Sequence, residues 1–135
     1  MPAKIKGTGA ERELYHALWQ KGFAVVRAAG SGSTSYPCPD LLVGNPLRKL
    51  AIECKVTKGV KQYLTGGEIQ ELQEFCKQFG AEPWIAVKFN KLSRQDGLGW
   101  YLFTLEDLEK TEGENFVVSI PLAKRRGLRV EEVVE

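Results

Sequence analysis

The chain has one histidine, His16, and three cysteines, Cys38, Cys54 and Cys76, among its 135 residues. A single histidine leaves almost nothing for a His-ligated metal cluster or a Ser-His-Asp relay. An odd number of cysteines with no close pair fits neither a disulfide framework nor a zinc site, so all three read as reduced structural residues. No apolar run approaches the roughly 20 residues that cross a bilayer. The opening MPAKIKGTGAERE has neither a signal-like apolar stretch nor a cleavage site, and the expectation is a protein with no membrane partner that stays in the cytoplasm. The chemistry left open is that of carboxylates.

What is present describes one folded domain over residues 1–135. Hydrophobic residues make up 43% and charged residues 27%, as is usual for a globular protein. The net charge of +2 hides an uneven distribution. Residues 1–65 carry ten Lys and Arg against four Asp and Glu, whereas residues 66–135 carry nine against thirteen. A basic N-terminal half suits the neutralisation of phosphates, because affinity for DNA rests largely on cations set along its backbone. Lys4, Lys6, Arg12, Arg27, Lys58 and Lys61 are the candidate DNA-binding cations of that half. Ordinary surface charge explains the same asymmetry at least as well.

Thr8 stands three residues before Glu11, the spacing of a capping box, and Leu14, Ala17 and Leu18 follow at helical intervals. A first helix is therefore expected from Thr8 to Lys21, with Gly22 as its stop. Phe23 to Ala29 is β-rich, and residues 30–35 are loop by composition. Asp40–Val43 and Lys49–Val56, joined by the Gly44-Asn45-Pro46 turn, fit a hairpin. Residues 58–67 carry few signals. Leu72, Phe75, Cys76 and Phe79 then predict a second helix over Glu68–Phe79, ended by Gly80. Trp84–Phe89 and Trp100–Phe103 read as strands around a polar loop. Residues 105–110 read as one or two helical turns, and Phe116–Ile120 as a last edge strand. With no internal repeat, this order fits an α/β or α+β sheet covered by helices.

The informative segment joins Pro39-Asp40 to Glu53-Cys54-Lys55 across twelve intervening residues. Side chains alternate along a strand, so Leu50, Ile52, Cys54 and Val56 are expected on a core face and Ala51, Glu53 and Lys55 on a chemical one. A hairpin partner beginning at Asp40 brings its carboxylate near Glu53, where two like charges repel unless a cation lies between them. Mg²⁺ suits such oxygen ligands, with the Cys54 backbone carbonyl as a further one. Such an ion, with Lys55 orienting water or stabilising negative charge, is the equipment of phosphodiester hydrolysis. Taken alone, an Asp and a Glu-x-Lys fit a surface salt bridge better. Context shifts that balance. Glu11 shares the inward side of its helix with Leu14 and Leu18, so it needs a partner there, either the metal or the helix cap. Arg12 and Arg27 supply cations at the same edge, and Ser31 sits in a loop able to approach phosphate.

With these residues in place, the sequence resembles an archaeal Holliday junction resolvase of the Hjc type, within the PD-(D/E)xK nuclease superfamily. The resemblance runs in order through Lys6-Gly7, Ala10–Leu14, Gly22–Arg27, Ala29-Gly30-Ser31, Pro39-Asp40-Leu41, Ala51–Lys55, Phe79-Gly80 and Pro83-Trp84. It implies a central mixed β-sheet flanked by helices, the restriction-endonuclease-like nuclease fold. It also implies a homodimeric, Mg²⁺-dependent endonuclease, with Mn²⁺ as a substitute, that nicks two opposed strands of a four-way DNA junction. Recombination or replication proteins are candidate partners. By the same resemblance, Glu11, Asp40, Glu53 and Lys55 match the acidic metal and lysine positions, and Ser31 matches the loop serine. Arg12 and Arg27 match basic residues linked to DNA binding or cleavage. Phe75 and Phe79 become candidates for the dimer contact, with monomer core an equally good reading. The chain departs from the pattern at residues 32–38, which are Ser-rich and lack a lysine found in relatives, and residues 105–135 carry little family signal. Lys124, Arg125, Arg126 and Arg129 fit a solvated face better than a DNA contact.

Two other readings remain at this stage. A restriction-like or repair nuclease would keep the metal site and act on duplex, flap or single strand. A non-catalytic junction-binding module would keep only the scaffold.

Overall fold

The computed structural model describes residues 2–28 and 35–133, the side chains of residues 2–8 and of Asp96 aside. The predicted loop with Ser31 lies outside the described residues.

Helix α1 spans Pro2–Gln20. It starts earlier than the sequence pattern implies, with Thr8 inside the helix rather than at its N-cap. Proline is well suited to a first helical turn, where its missing N–H has no intrahelical acceptor to lose. The chain leaves α1 through Gly22, whose φ of 96° is a left-handed conformation that glycine adopts freely. Strands β1 (Ala24–Arg27), β2 (Leu41–Gly44) and β3 (Lys49–Thr57) then form an antiparallel meander. Leu41 pairs with Ile52 and Val43 with Leu50, as the predicted hairpin requires.

A short strand in the stretch with few signals, β4 (Lys61–Leu64), precedes helix α2 (Gly66–Phe79). Thr65 caps α2 reciprocally with Glu68, and Gly80 ends it at φ 82°. Strand β5 (Glu82–Phe89) returns parallel to β3, and β6 (Trp100–Thr104) pairs antiparallel with β5. The result is a mixed five-stranded sheet in the order β1-β2-β3-β5-β6. A 3₁₀ turn at Leu105–Asp107 leads to β7 (Glu109–Lys110) and β8 (Phe116–Ser119). The last strand is not an edge: β8 lies between β4 and β7 in a second, three-stranded sheet. Short helices α3 (Ile120–Arg126) and α4 (Val130–Val133) follow.

The large sheet is covered on both faces. Ala10, Leu14 and Leu18 of α1 pack with Leu50, Ile52, Cys54, Trp84 and Trp100. Leu72 and Cys76 of α2 pack with Ala51, Ile85, Val87 and Phe103 on the other side, together with Leu64 and Val118 of the small sheet. Strands buried on both faces read as near-continuous apolar runs, and Trp84 to Phe89 is buried at every position, Lys88 included. The expected division of β3 into a core face and a chemical face is corrected accordingly. Ala51 is fully buried beneath α2, and the face it shares with Glu53 and Lys55 becomes polar only beyond it. Val56, on the expected core face, is exposed. The three cysteines are free, and Cys54 and Cys76 are buried. No helix among the described residues is long and apolar enough to cross a membrane.

Candidate active site

Asp40 stands where the chain enters β2. Its backbone extends the sheet pairing, with Asp40 N–H donating to Ile52 O at 3.1 Å and Ala28 N–H to Asp40 O at 2.9 Å. Its side-chain Oδ2 accepts the Cys54 N–H at 2.8 Å. The N–H and C=O of one strand residue point to the same edge, which sets the Cys54 carbonyl on the Asp40 side of β3 as well. Glu53 lies on the α2 face beside a cavity of about 70 Å³ lined by Cys38, Pro39, Glu68, Glu71 and Leu72. Burial first, and the neighbouring Asp40 charge second, push the Glu53 carboxyl up from 4.5 to about 8, with Lys55 working the other way. Asp40 and Lys55 are thus both near enough to Glu53 for their charges to act on its carboxyl.

Lys55 donates to Glu68 Oε2, and both side chains are less than one-third exposed. Burial opposes the charge on Glu68, yet its bonds from Lys55 and Thr65 outweigh that and hold its carboxyl below the ordinary range. Glu11 reaches the same region from α1, on the other face. Its Oε1 accepts Arg27 Nε–H at 2.9 Å, and its charge is the weakest of the influences on Glu53. Among the described residues no group of three or more His, Cys, Asp and Glu is arranged to hold a metal ion. Asp40 acts on the Glu53 carboxyl more strongly than Glu11, whose carboxylate is paired with Arg27.

The candidate cations spread outward from this centre. Arg12 and Arg27 line one groove with Tyr15, His16, Val25 and Val26. Lys58 and Lys61 are exposed on and beside the turn between β3 and β4. Lys4 and Lys6 belong to the first two turns of α1. Phe75 and Phe79 of α2 stack with ring centroids 5.2 Å apart, and Phe75 packs partly against the core beneath the helix. Phe79 remains 47% exposed, and the two rings line a groove with Tyr36 and Pro37.

The model of the family described as archaeal Holliday junction resolvase (Hjc) matches residues 2–135. The chain belongs to this family. The crossover junction endodeoxyribonuclease Hjc of Archaeoglobus fulgidus is 42% identical over 115 residues, covering 85% of this chain and 79% of that relative. That of Methanocaldococcus jannaschii is 37% identical over 113 residues, covering 84% and 75%. The solved structure of Archaeoglobus fulgidus Hjc, a Holliday junction resolvase from an archaeal hyperthermophile, is similar with a TM-score of 0.83 and 39% identity. It aligns with 96% of this chain and 100% of that one. The mixed sheet flanked by helices is thus the restriction-endonuclease-like fold of Hjc.

Glu68, which meets Lys55 here, is not among the residues that the sequence pattern singles out. Its signal was available: Thr65-Gly-Gly-Glu68 has capping-box spacing, in a segment otherwise poor in pattern. Glu13 was missed too. It accepts from the buried Lys88 at 2.5 Å and ties α1 to β5, a contact 75 residues apart in the chain that no local pattern announces.

Proposed function

We propose that the chain resolves four-way DNA junctions as a homodimer. In this reading each protomer, a single nuclease domain over residues 1–135, places a metal-dependent nick in one of two opposed strands. The observation that carries it is the Asp40 and Glu53 carboxylate pair, partly buried beside Lys55, in a chain of the Hjc family. Two-fold symmetry of the protein would match a substrate with paired strands to cut.

The residues fit a divalent cation. A carboxyl held near 8 by burial and by a neighbouring carboxylate marks a place short of positive charge. The donors facing it are oxygens: the Asp40 and Glu53 side chains and the Cys54 carbonyl. Such a set suits Mg²⁺, with Mn²⁺ as a substitute. When bound, the ion supplies positive charge to the phosphate and acidifies water. Lys55 then donates from Nζ to a phosphate oxygen, where negative charge grows during hydrolysis. Arg12, Arg27, Lys4, Lys6, Lys58 and Lys61 hold the flanking backbone, and Ser31 contacts phosphate near the cut. Glu11 is the reserve acid of the set, since a phosphate that draws Arg27 away frees its carboxylate. Stacked Phe75 and Phe79 form the dimer contact. A junction enzyme of this kind works in the cytoplasm, alongside recombination or replication proteins.

The test uses a synthetic four-way junction and its component duplexes at fixed salt. In Mg²⁺ the wild-type protein is expected to convert the junction to nicked duplexes while leaving the duplexes uncut. Asp40→Asn and Glu53→Gln are expected to stop cutting and keep junction binding. Cutting by both variants at the wild-type rate would reject the site, and equal rates on junction and duplex would reject the substrate.

A further inference from the structure

We propose that Glu68 is a positioning residue for Lys55, and that the small second sheet serves to hold Glu68 in place. The inference rests on the proposed active site and extends it to a part of the chain outside the motif.

The Glu68 carboxylate is oriented from the backbone. Its Oε1 accepts the Thr65 N–H at 2.9 Å, while Glu68 N–H donates to Thr65 Oγ1 at 3.0 Å. This reciprocal box fixes the head group against the first turn of α2 and leaves Oε2 for Lys55 Nζ. The helix end is itself pinned. Gly66 N–H donates to Asn115 Oδ1 at 3.1 Å, in the turn between β7 and β8. A Cβ at Gly66 would stand 2.7 Å from the Glu114 carbonyl oxygen, so that turn and α2 are in close contact. β4, which feeds α2, is paired along its whole length with β8. A chain of contacts thus runs from the β7–β8 turn through Asn115, Gly66 and Thr65 to Glu68, and from there to Lys55.

A free lysine side chain samples many rotamers on a four-carbon stem. Anchored to Glu68 beside the cavity that Glu53 lines, its ammonium keeps one bond to Glu68 and has its other protons available for a phosphate. Fixing a reacting group in advance raises the rate of the step it serves without tightening ground-state binding.

The experiment compares Glu68→Gln, Thr65→Ala and Asp40→Asn in the full chain. A glutamine keeps the capping acceptor but offers the ammonium no charge. Glu68→Gln is expected to melt and to bind the junction in EDTA as wild type does, and to need the same Mg²⁺ for half-maximal rate. Its single-turnover cleavage is expected to fall roughly ten- to hundredfold. Thr65→Ala keeps the backbone N–H that orients Glu68 Oε1 and loses only the Oγ1 cap, so it should lower the melting temperature and, well below melting, cut at nearly the wild-type rate. A wild-type rate in Glu68→Gln, with Asp40→Asn inactive, overturns the positioning role alone. If Asp40→Asn also cuts normally, the active site falls with it. A higher Mg²⁺ requirement in Glu68→Gln would make Glu68 a metal ligand, and a rate loss that follows the melting temperature in both variants would make it only a helix cap. Either result overturns the proposal.

Discussion

Glu53 concentrates the tension of the site in one residue. Its carboxyl sits at about 8 rather than 4.5, chiefly through burial and then through Asp40. Between those two values the folded chain holds a proton that the unfolded chain has lost. Without a divalent ion, the contribution of this residue to stability is therefore full below pH 4.5 and is lost as pH rises through 8. Thermal melting in EDTA from pH 5 to pH 8 should show the decline, and Glu53→Gln should flatten it. An unchanged slope in that variant would place the titrating group elsewhere. A cation binds the ionised pair, so Mg²⁺ should raise the melting temperature more at pH 8 than at pH 6. At this scale the sequence names Asp40, Glu53 and Lys55 as candidates by residue type and strand alternation, and it is the context of Glu11, Arg12 and Arg27 that lifts them above an ordinary surface salt bridge. That Glu11 would be paired with Arg27, and Lys55 with Glu68, depended on side chains brought together from distant elements.

Elements differ in how strongly their own sequence declares them. Helix α2 has a cap, an apolar stripe and a glycine stop, and its predicted end at Phe79 matches. The β2–β3 hairpin follows from two apolar runs and a turn. Strand β4 escaped because Lys61–Leu64 alternates over four residues only, too short for a period to stand out. Strand β8 was seen but placed at an edge, because pairing with β4 and β7 on either side is a matter of partners rather than of propensity. The start of α1 was misread because Thr8 and Glu11 mimic a cap that the preceding residues make unnecessary. The contact between α2 and the β7–β8 turn yields a prediction at this scale. Gly66→Ala should force α2 away from the Glu114 carbonyl and destabilise the fold by ~1–3 kcal/mol. It should also slow cleavage at temperatures where the chain is still folded. Denaturant unfolding and single-turnover rates check both parts, and wild-type values for both would show that the helix end is free to shift.

Across the whole molecule, the two faces of the large sheet have separate tasks. On one, α1 is held by the Ala10, Leu14 and Leu18 stripe and by the Glu13 pair with Lys88. On the other, α2 and the small sheet close over Ala51 and frame the acids. The C-terminal end of α2 carries the Phe75 and Phe79 stack, with Phe75 partly against the core and Phe79 and nearby Tyr36 exposed. Large exposed aromatic rings around a groove are the usual mark of an association surface. For the proposed homodimer, Phe79→Glu should therefore sediment as a monomer at concentrations where the unsubstituted chain sediments as a dimer, and release single-nicked junctions in place of the proposed paired cuts. A dimer of unchanged stability would move the contact to another face.

What the sequence determined by itself was a candidate chemistry and its address: two acids and a lysine on two neighbouring strands, in a chain with one histidine and three cysteines. Residue type and a period of two are local properties, so they survive being read one segment at a time. Only the tertiary structure decided that the first half of β3 is buried on both faces, that Glu11 meets Arg27, and that a capping glutamate holds the lysine. Those outcomes depend on which elements pack against which, and packing is settled by contacts between residues far apart in the chain.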